Sequence, residues 1–168
     1  FKKLVVADRL ALFVDKAFDS PEAAPTWFLW MGAFFFLFQL YCDFSGYSDI
    51  AVGVARMFGI RLSENFAHRV YWVKSFRRFW EDWHRTMTYW FRDYVFYPLS
   101  SLSRSTTWIL TASLLTMTIN GFWHGASWAF LLWGLLNGAF LVGETLLARK
   151  LPAFLKRDFI AFTTSMSL

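Results

Sequence analysis

Charge is scarce in this chain of 168 residues: Asp, Glu, Lys and Arg together make up 17%, against roughly 25% in soluble domains. With 57% hydrophobic residues and a mean hydropathy of +0.36, that shortage excludes an ordinary water-soluble domain, and disordered, collagenous and coiled-coil chains with it. Cysteine is nearly absent. Cys42 stands alone, so no intrachain disulfide can form. The three histidines fall into no HExxH or i, i+4 pair, and no CxxC pair exists, so no zinc site is expected. A Gly-rich phosphate loop ending in Lys-Ser/Thr is missing, and Ser45 and Ser48 do not sit in G-x-S-x-G, which excludes nucleotide hydrolysis and a serine-hydrolase elbow.

What is abundant is aromatic: 21 Phe and 10 Trp, the residues of lipid contact and of membrane interfaces. The net charge of +5 is dispersed between apolar runs instead of gathered into a stripe, so anionic lipid, not nucleic acid, is its expected counterpart. Phe1-Lys2-Lys3 opens without Met or a secretory pattern and reads as the start of an excised piece.

Residues 1–18 mix apolar and charged side chains as a surface helix does, and Asp19-Ser20-Pro21-Glu22 reads as a turn. Thr26 to Cys42 carries no charge and one amide, Gln39, and predicts a transmembrane helix. Asp43-Phe44-Ser45-Gly46-Tyr47-Ser48-Asp49 then sets two carboxylates beside apolar sequence, and the small residues of 51–55 suit close helix packing. Gly59 predicts a helix end and a loop over 56–65.

From Tyr71 to Tyr97 a helical period places Trp72, Phe76, Phe79, Trp83, Met87, Trp90 and Tyr94 on one stripe, with Arg77, Arg78, Glu81, Asp82, Arg85 and Arg92 opposite. This predicts one interfacial amphipathic helix that Pro98 ends. Between Ser105 and Gly143 there is no formal charge; a single helix there would be about 58 Å long, nearly twice the hydrocarbon thickness. A break at Asn120-Gly121-Phe122-Trp123-His124-Gly125 is expected, giving a hairpin with Arg104 and Arg149-Lys150 at one end.

His124 is the one ionisable side chain of that stretch, and an ionisable group in a membrane segment is a functional candidate before it is a packing residue. Asn120 is its polar neighbour, and Trp123 is either a slot for an acyl group or core. His84, at the edge of a charged face, is by itself compatible with simple solvation, and His68 in its charged loop even more so.

The ordered motifs Asp43–Asp49, Phe79-Trp80-Glu81-Asp82-Trp83-His84, Trp90-Phe91-Arg92-Asp93-Tyr94 and Gly121-Phe122-Trp123-His124-Gly125 resemble the membrane-bound O-acyltransferase family. With the opening Lys2–Leu10 they look most like its bacterial branch that O-acetylates alginate and related exopolysaccharides; the teichoic acid D-alanyl transferases are relatives. Ser100–Arg104 departs from the Gly-Gly-Asn-Arg often found there in the alginate branch.

The resemblance implies an all-α polytopic membrane bundle with an interfacial amphipathic helix, of which residues 1–168 form the catalytic C-terminal part, without the N-terminal helices. It implies His124 and His84 as catalytic residues, a multi-pass position in the inner (plasma) membrane, and an acyl thioester donor such as acetyl-CoA, or an acyl carrier, with no metal. Substrate contacts would fall to Asp43, Ser45, Asp49, Asn120, Trp123, Arg77, Arg78 and Arg85, the arginines meeting donor or lipid phosphate. An extracytoplasmic acetyltransferase partner and an extracytoplasmic polysaccharide acceptor are implied too. D-alanyl transfer, and a transporter or structural membrane subunit, are the competing functions.

Overall fold

The computed structural model describes residues 1–67 and 70–150; His68 lies outside them. Among the described residues every regular element is helical. The chain divides into two compact units, Phe1–Asn65 and a second from Phe66 onward, each described by itself.

In the first unit a π-helical turn, Lys2–Ala7, runs straight into α1, Asp8–Phe18. Ala7, Val14 and Ala17 are buried at the spacing that puts them on one helical stripe, and this stripe meets α2, Thr26–Met57. Two glycines let the backbones close up. A Cβ on Gly32 would stand 2.7 Å from the Ala17 Cβ, and one on Gly46 would stand 3.0 Å from the Lys3 backbone nitrogen. Phe13 packs on α2, its ring 4.6 Å from Phe28 and 5.0 Å from Phe35.

The helix expected over 26–42 continues without a break through the Asp43–Asp49 motif to Met57, 32 residues in all. That motif contains no proline, its one glycine, Gly46, serves close packing, and its acidic groups find partners on the π-helical turn. The end is where Gly59 placed it: at φ +75 it lets Gly59 N–H donate to the Arg56 carbonyl (3.0 Å) and Ile60 N–H to that of Ala55 (2.9 Å), the two bonds of a Schellman cap. Gly53 meets nothing within 4 Å, so the close packing expected over 51–55 is made at Gly32 and Gly46 instead.

In the second unit the expected hairpin forms. α6, Thr106–His124, starts at Ser105, whose Oγ accepts from Trp108 N–H at 3.1 Å. It ends one residue before Gly125, and α7, Trp128–Lys150, returns alongside it. Gly121 packs on Gly134 and Gly138 on Leu114, an antiparallel register that brings Arg104 to the Arg149–Lys150 end. Both α2 and α7 are long and apolar enough to cross a membrane. Trp30 and Trp128 are among the large apolar groups on their outer faces.

The interfacial helix expected over 71–97 is not one helix. α3, Phe76–Asp82, and α4, Arg85–Phe91, are separated by an elbow at Trp83 and His84. Trp83 is extended and His84 left-handed (φ 44, ψ 53). The buried core is Trp80, Met87 and Phe91, backed by Met117 of α6 and Leu141 of α7. Trp72, Trp90 and Tyr94 of the expected stripe are exposed. The expected stripe holds Met87 of this core and misses Trp80 and Phe91.

Pro98 does not end the helix. Arg92–Phe96 forms a π-helical turn in which Tyr97 N–H reaches back to the Arg92 carbonyl, and Pro98 then sits in the first turn of α5, Tyr97–Ser101. There the missing proline N–H leaves no helical bond unmade.

Candidate functional site

His124 is the last residue of α6, and the Gly125–Ser127 turn leaves its imidazole on the surface of the second unit. Aromatic rings stand around it: Trp123 at 4.9 Å, Trp133 edge-on at 5.2 Å and Phe130 stacked at 6.3 Å between centroids. His84 comes to the same place from the elbow, its ring 6.5 Å from that of Trp123. One indole is thus shared by both imidazoles.

The left-handed backbone at His84 is uncommon for a residue with a Cβ, and such conformations gather at functional sites. Here the surrounding bonds hold it. Ala67 N–H donates to the Asp82 carbonyl at 3.0 Å, Trp83 N–H to that of Phe79 at 2.8 Å and Thr88 N–H to that of His84 at 3.0 Å. The Thr88 hydroxyl donates to the Trp83 carbonyl at 3.3 Å. The carbonyls of Asp82, Trp83 and His84 at the break therefore all have donors. Burial first, and the neighbouring His124 second, pull the His84 imidazole down to about 4, so it is neutral near pH 7.

Asn120 lies one turn before His124 and is 2% exposed. Its amide donates to the Met87 sulfur at 3.4 Å. Behind it is a cavity of about 130 Å³ lined by Trp80, Glu81, Met87, Met117 and Leu141 among others. Among the described residues, Asn120 Oδ1, Trp80 Nε1 and Glu81 Oε1 are buried at its wall without a hydrogen-bond partner. Burial pushes the Glu81 carboxyl up, against the opposing pull of Arg78.

The three arginines expected at substrate have partners inside the unit. Arg77 donates to the Thr145 hydroxyl at 2.7 Å, Arg78 pairs with Glu81 at 2.9 Å and Asp82 at 3.4 Å, and Arg85 donates to the Tyr89 hydroxyl at 3.1 Å. Asp43, Ser45 and Asp49 belong to the first unit. Asp43 pairs with Lys3, and Asp49 with Lys2 at 2.8 Å, while Ser45 is buried beside Gly46. Among the described residues no group of three His, Cys, Asp or Glu side chains is placed to hold a metal ion.

Sequence reasoning passed over Glu144. Its carboxylate accepts from Phe76 N–H at 3.0 Å and from Arg77 N–H at 2.8 Å, capping α3 from α7. The signal was present: Glu144 immediately follows the charge-free run and is the sole acidic residue from Tyr94 to Lys150.

Residues 1–161 match the family described as MBOAT, membrane-bound O-acyltransferase family. The chain is 42% identical over 144 residues to a probable alginate O-acetylase AlgI of Azotobacter vinelandii, a match covering 85% of this chain and 28% of that protein. It is 39% identical over 138 residues to a peptidoglycan O-acetyltransferase of Helicobacter pylori, covering 82% of the chain and 26% of that protein. A teichoic acid D-alanyltransferase of Streptococcus thermophilus is 34% identical over 113 residues, or 62% of the chain and 27% of that protein. The chain therefore spans little more than a quarter of the length of these curated relatives.

Proposed function

The chain belongs to the membrane-bound O-acyltransferase family, and on that premise we propose that the protein carrying it moves an acetyl group from a thioester donor to a hydroxyl of an extracytoplasmic polysaccharide. The observation that carries this reading is the convergence of His84 and His124 on the Trp123 indole. A thioester is already activated. What remains is to deprotonate the acceptor hydroxyl, hold it at the carbonyl carbon and accommodate the oxyanion.

His124 takes the hydroxyl proton on a ring nitrogen as the new C–O bond forms. When the tetrahedral intermediate collapses, the C–S bond breaks and the thiolate leaves with that proton. His84, neutral near pH 7, presents a ring N–H that orients the acceptor or the developing oxyanion without adding a competing charge. Trp123, Trp133 and Phe130 frame the His124 imidazole with apolar rings against which an acyl group can lie. Asn120, with an unused amide oxygen, is the polar contact behind them.

Acetyl-CoA is the proposed donor and no metal is required. Arg78, whose side chain is the more open partner of its acidic neighbours, is offered to a donor or lipid phosphate, with Arg77 and Arg85 beside it on the same segment. Asp43, Ser45 and Asp49, on α2, are further proposed substrate contacts. The whole protein is proposed to sit in the plasma membrane as a multi-pass enzyme and to work with an extracytoplasmic acetyltransferase partner. D-alanyl transfer to a cell-wall polymer is the second reading, favoured by the D-alanyltransferase relative.

The test follows radiolabelled acetyl into cell-surface polymer in cells producing the whole protein, wild type against His124→Ala and His84→Ala at matched membrane abundance. General acid–base catalysis is worth about 100-fold or more, so the His124 variant should lose at least that. Undiminished label in both variants would remove the catalytic assignment, and label from D-alanine in place of acetate would select the second reading.

A further inference from the structure

α7 carries two groups on one face about three turns apart, Trp133 and Glu144, and α3 is fastened to both. At its start, the Glu144 carboxylate takes both Phe76 N–H (3.0 Å) and Arg77 N–H (2.8 Å), Arg77 reaches the Thr145 hydroxyl at 2.7 Å, and Phe76 lies 5.5 Å from Phe140. Further along, Trp80 meets Trp133 edge-on at 5.8 Å. α3 therefore runs back along α7, and the elbow at its end delivers His84 to the place where Trp133 also touches His124. Glu144 takes no part in the chemistry described above.

The geometry points to Glu144 as a positioning residue for His84: it fixes where α3 begins on α7, and so sets the reach of the elbow toward Trp123 and His124. Ser75 already caps the helix through Arg78 N–H at 3.0 Å. The two backbone N–H groups on Glu144 are the ones that a capping side chain on the same segment leaves over, so its carboxylate adds placement against α7 where the helix itself would form without it. Negative charge at a helix start is favourable as well.

This inference rests on the reading that His84 serves acyl transfer, and the experiment separates the two. In membranes holding the whole protein, turnover and KM for radiolabelled acetyl-CoA are measured for Glu144→Gln, Glu144→Asp, His84→Gln and the Glu144→Gln/His84→Gln double variant. Misplacement remote from the chemistry can lower turnover about 100-fold; a loss of 10- to 100-fold in turnover with KM unchanged is expected for Glu144→Gln, with partial recovery in Glu144→Asp. In the double variant Glu144→Gln should add nothing to the His84→Gln loss. Losses that multiply would overturn the inference, because a merely structural cap lowers both backgrounds alike.

A second readout does not depend on activity. With isotope-labelled histidine, the His84 ring signal, assigned by its absence in His84→Gln, should move in Glu144→Gln. An unmoved signal refutes the positioning role even if the protein proves to transfer no acetyl, whereas a moved signal with no acetyl transfer in the wild type retires the acyltransfer reading alone.

Discussion

Gly121 and Gly134 meet backbone to backbone: a Cβ on Gly121 would stand 2.9 Å from the Gly134 Cα, and one on Gly134 would run into the Met117 carbonyl. The obstacle on each side is main chain, which cannot turn aside as a side chain can. Gly134→Ala should force α6 and α7 apart at about 1–3 kcal/mol and displace His124 from Trp133. Gly138→Ala, where the nearest atoms are a Leu114 methyl at 3.0 Å and the Leu114 Cα and carbonyl oxygen at 3.1 Å, is less tightly blocked and should lower the thermal midpoint less. The reverse order in a detergent melt would contradict this packing.

Acid should destabilise the second unit through His84. Its folded value of about 4 lies below the ~6.5 of a free imidazole, so between these values the unfolded chain binds more protons, and stability is lost as pH falls from about 6.5 toward 4. Above that window His84 contributes no slope. His84→Gln, which cannot titrate, should flatten the fall in thermal midpoint between pH 7 and pH 5; an unchanged slope would show that His84 is not the titrating group.

Asn120 carries a buried amide oxygen without a partner among the described residues, and removing an unsatisfied polar group with a side chain of similar size is often neutral or stabilising. Asn120→Leu should therefore hold or raise the thermal midpoint while reducing acetyl transfer at least about tenfold, the trade of stability against function expected at a working site. If both fall together, Asn120 is a packing residue.

Lys2–Asp49 and Lys3–Asp43 fasten the first π-helical turn to α2. Asp49 holds the Lys2 ammonium up through their hydrogen bond, and Asp43 does the same for Lys3, so both lysines stay charged across neutral pH. The Asp43→Asn/Asp49→Asn variant should speed amide exchange over residues 2–7 severalfold and leave that of α6 unchanged. Slow exchange at 2–7 in the variant would return the two aspartates to a role in substrate contact alone.

The hairpin, its turn and the helix end at Gly59 were legible because each depends on local chemistry: an uninterrupted apolar run too long for one crossing, a glycine at the αL position, a serine at a helix start. His124 was legible because an imidazole in an apolar segment is conspicuous. The elbow was not. Phe79–Met87 contains neither glycine nor proline, and the break is bought by tertiary bonds, from Ala67 N–H to the Asp82 carbonyl and from the Thr88 hydroxyl to that of Trp83. A stripe extended through it assigned Trp90 and Tyr94 to the buried face in place of Trp80 and Phe91. Likewise the pairing of the motif at 43–49 with Lys2 and Lys3 was not legible, because those lysines lie far back in sequence, where spacing gives no hint of contact.

The elbow also decides which changes this segment can absorb. Trp80 and the Met87–Phe91 pair reach one core from two short helices whose relative rotation is set by the residues between them. Inserting or deleting a single residue in α3 or α4 would turn one of them by about 100° and carry its anchor out of the core. Length is therefore the constrained quantity here, while substitutions at exposed positions such as Trp90 leave the geometry alone. Homologous proteins should hold the length of 76–91 fixed.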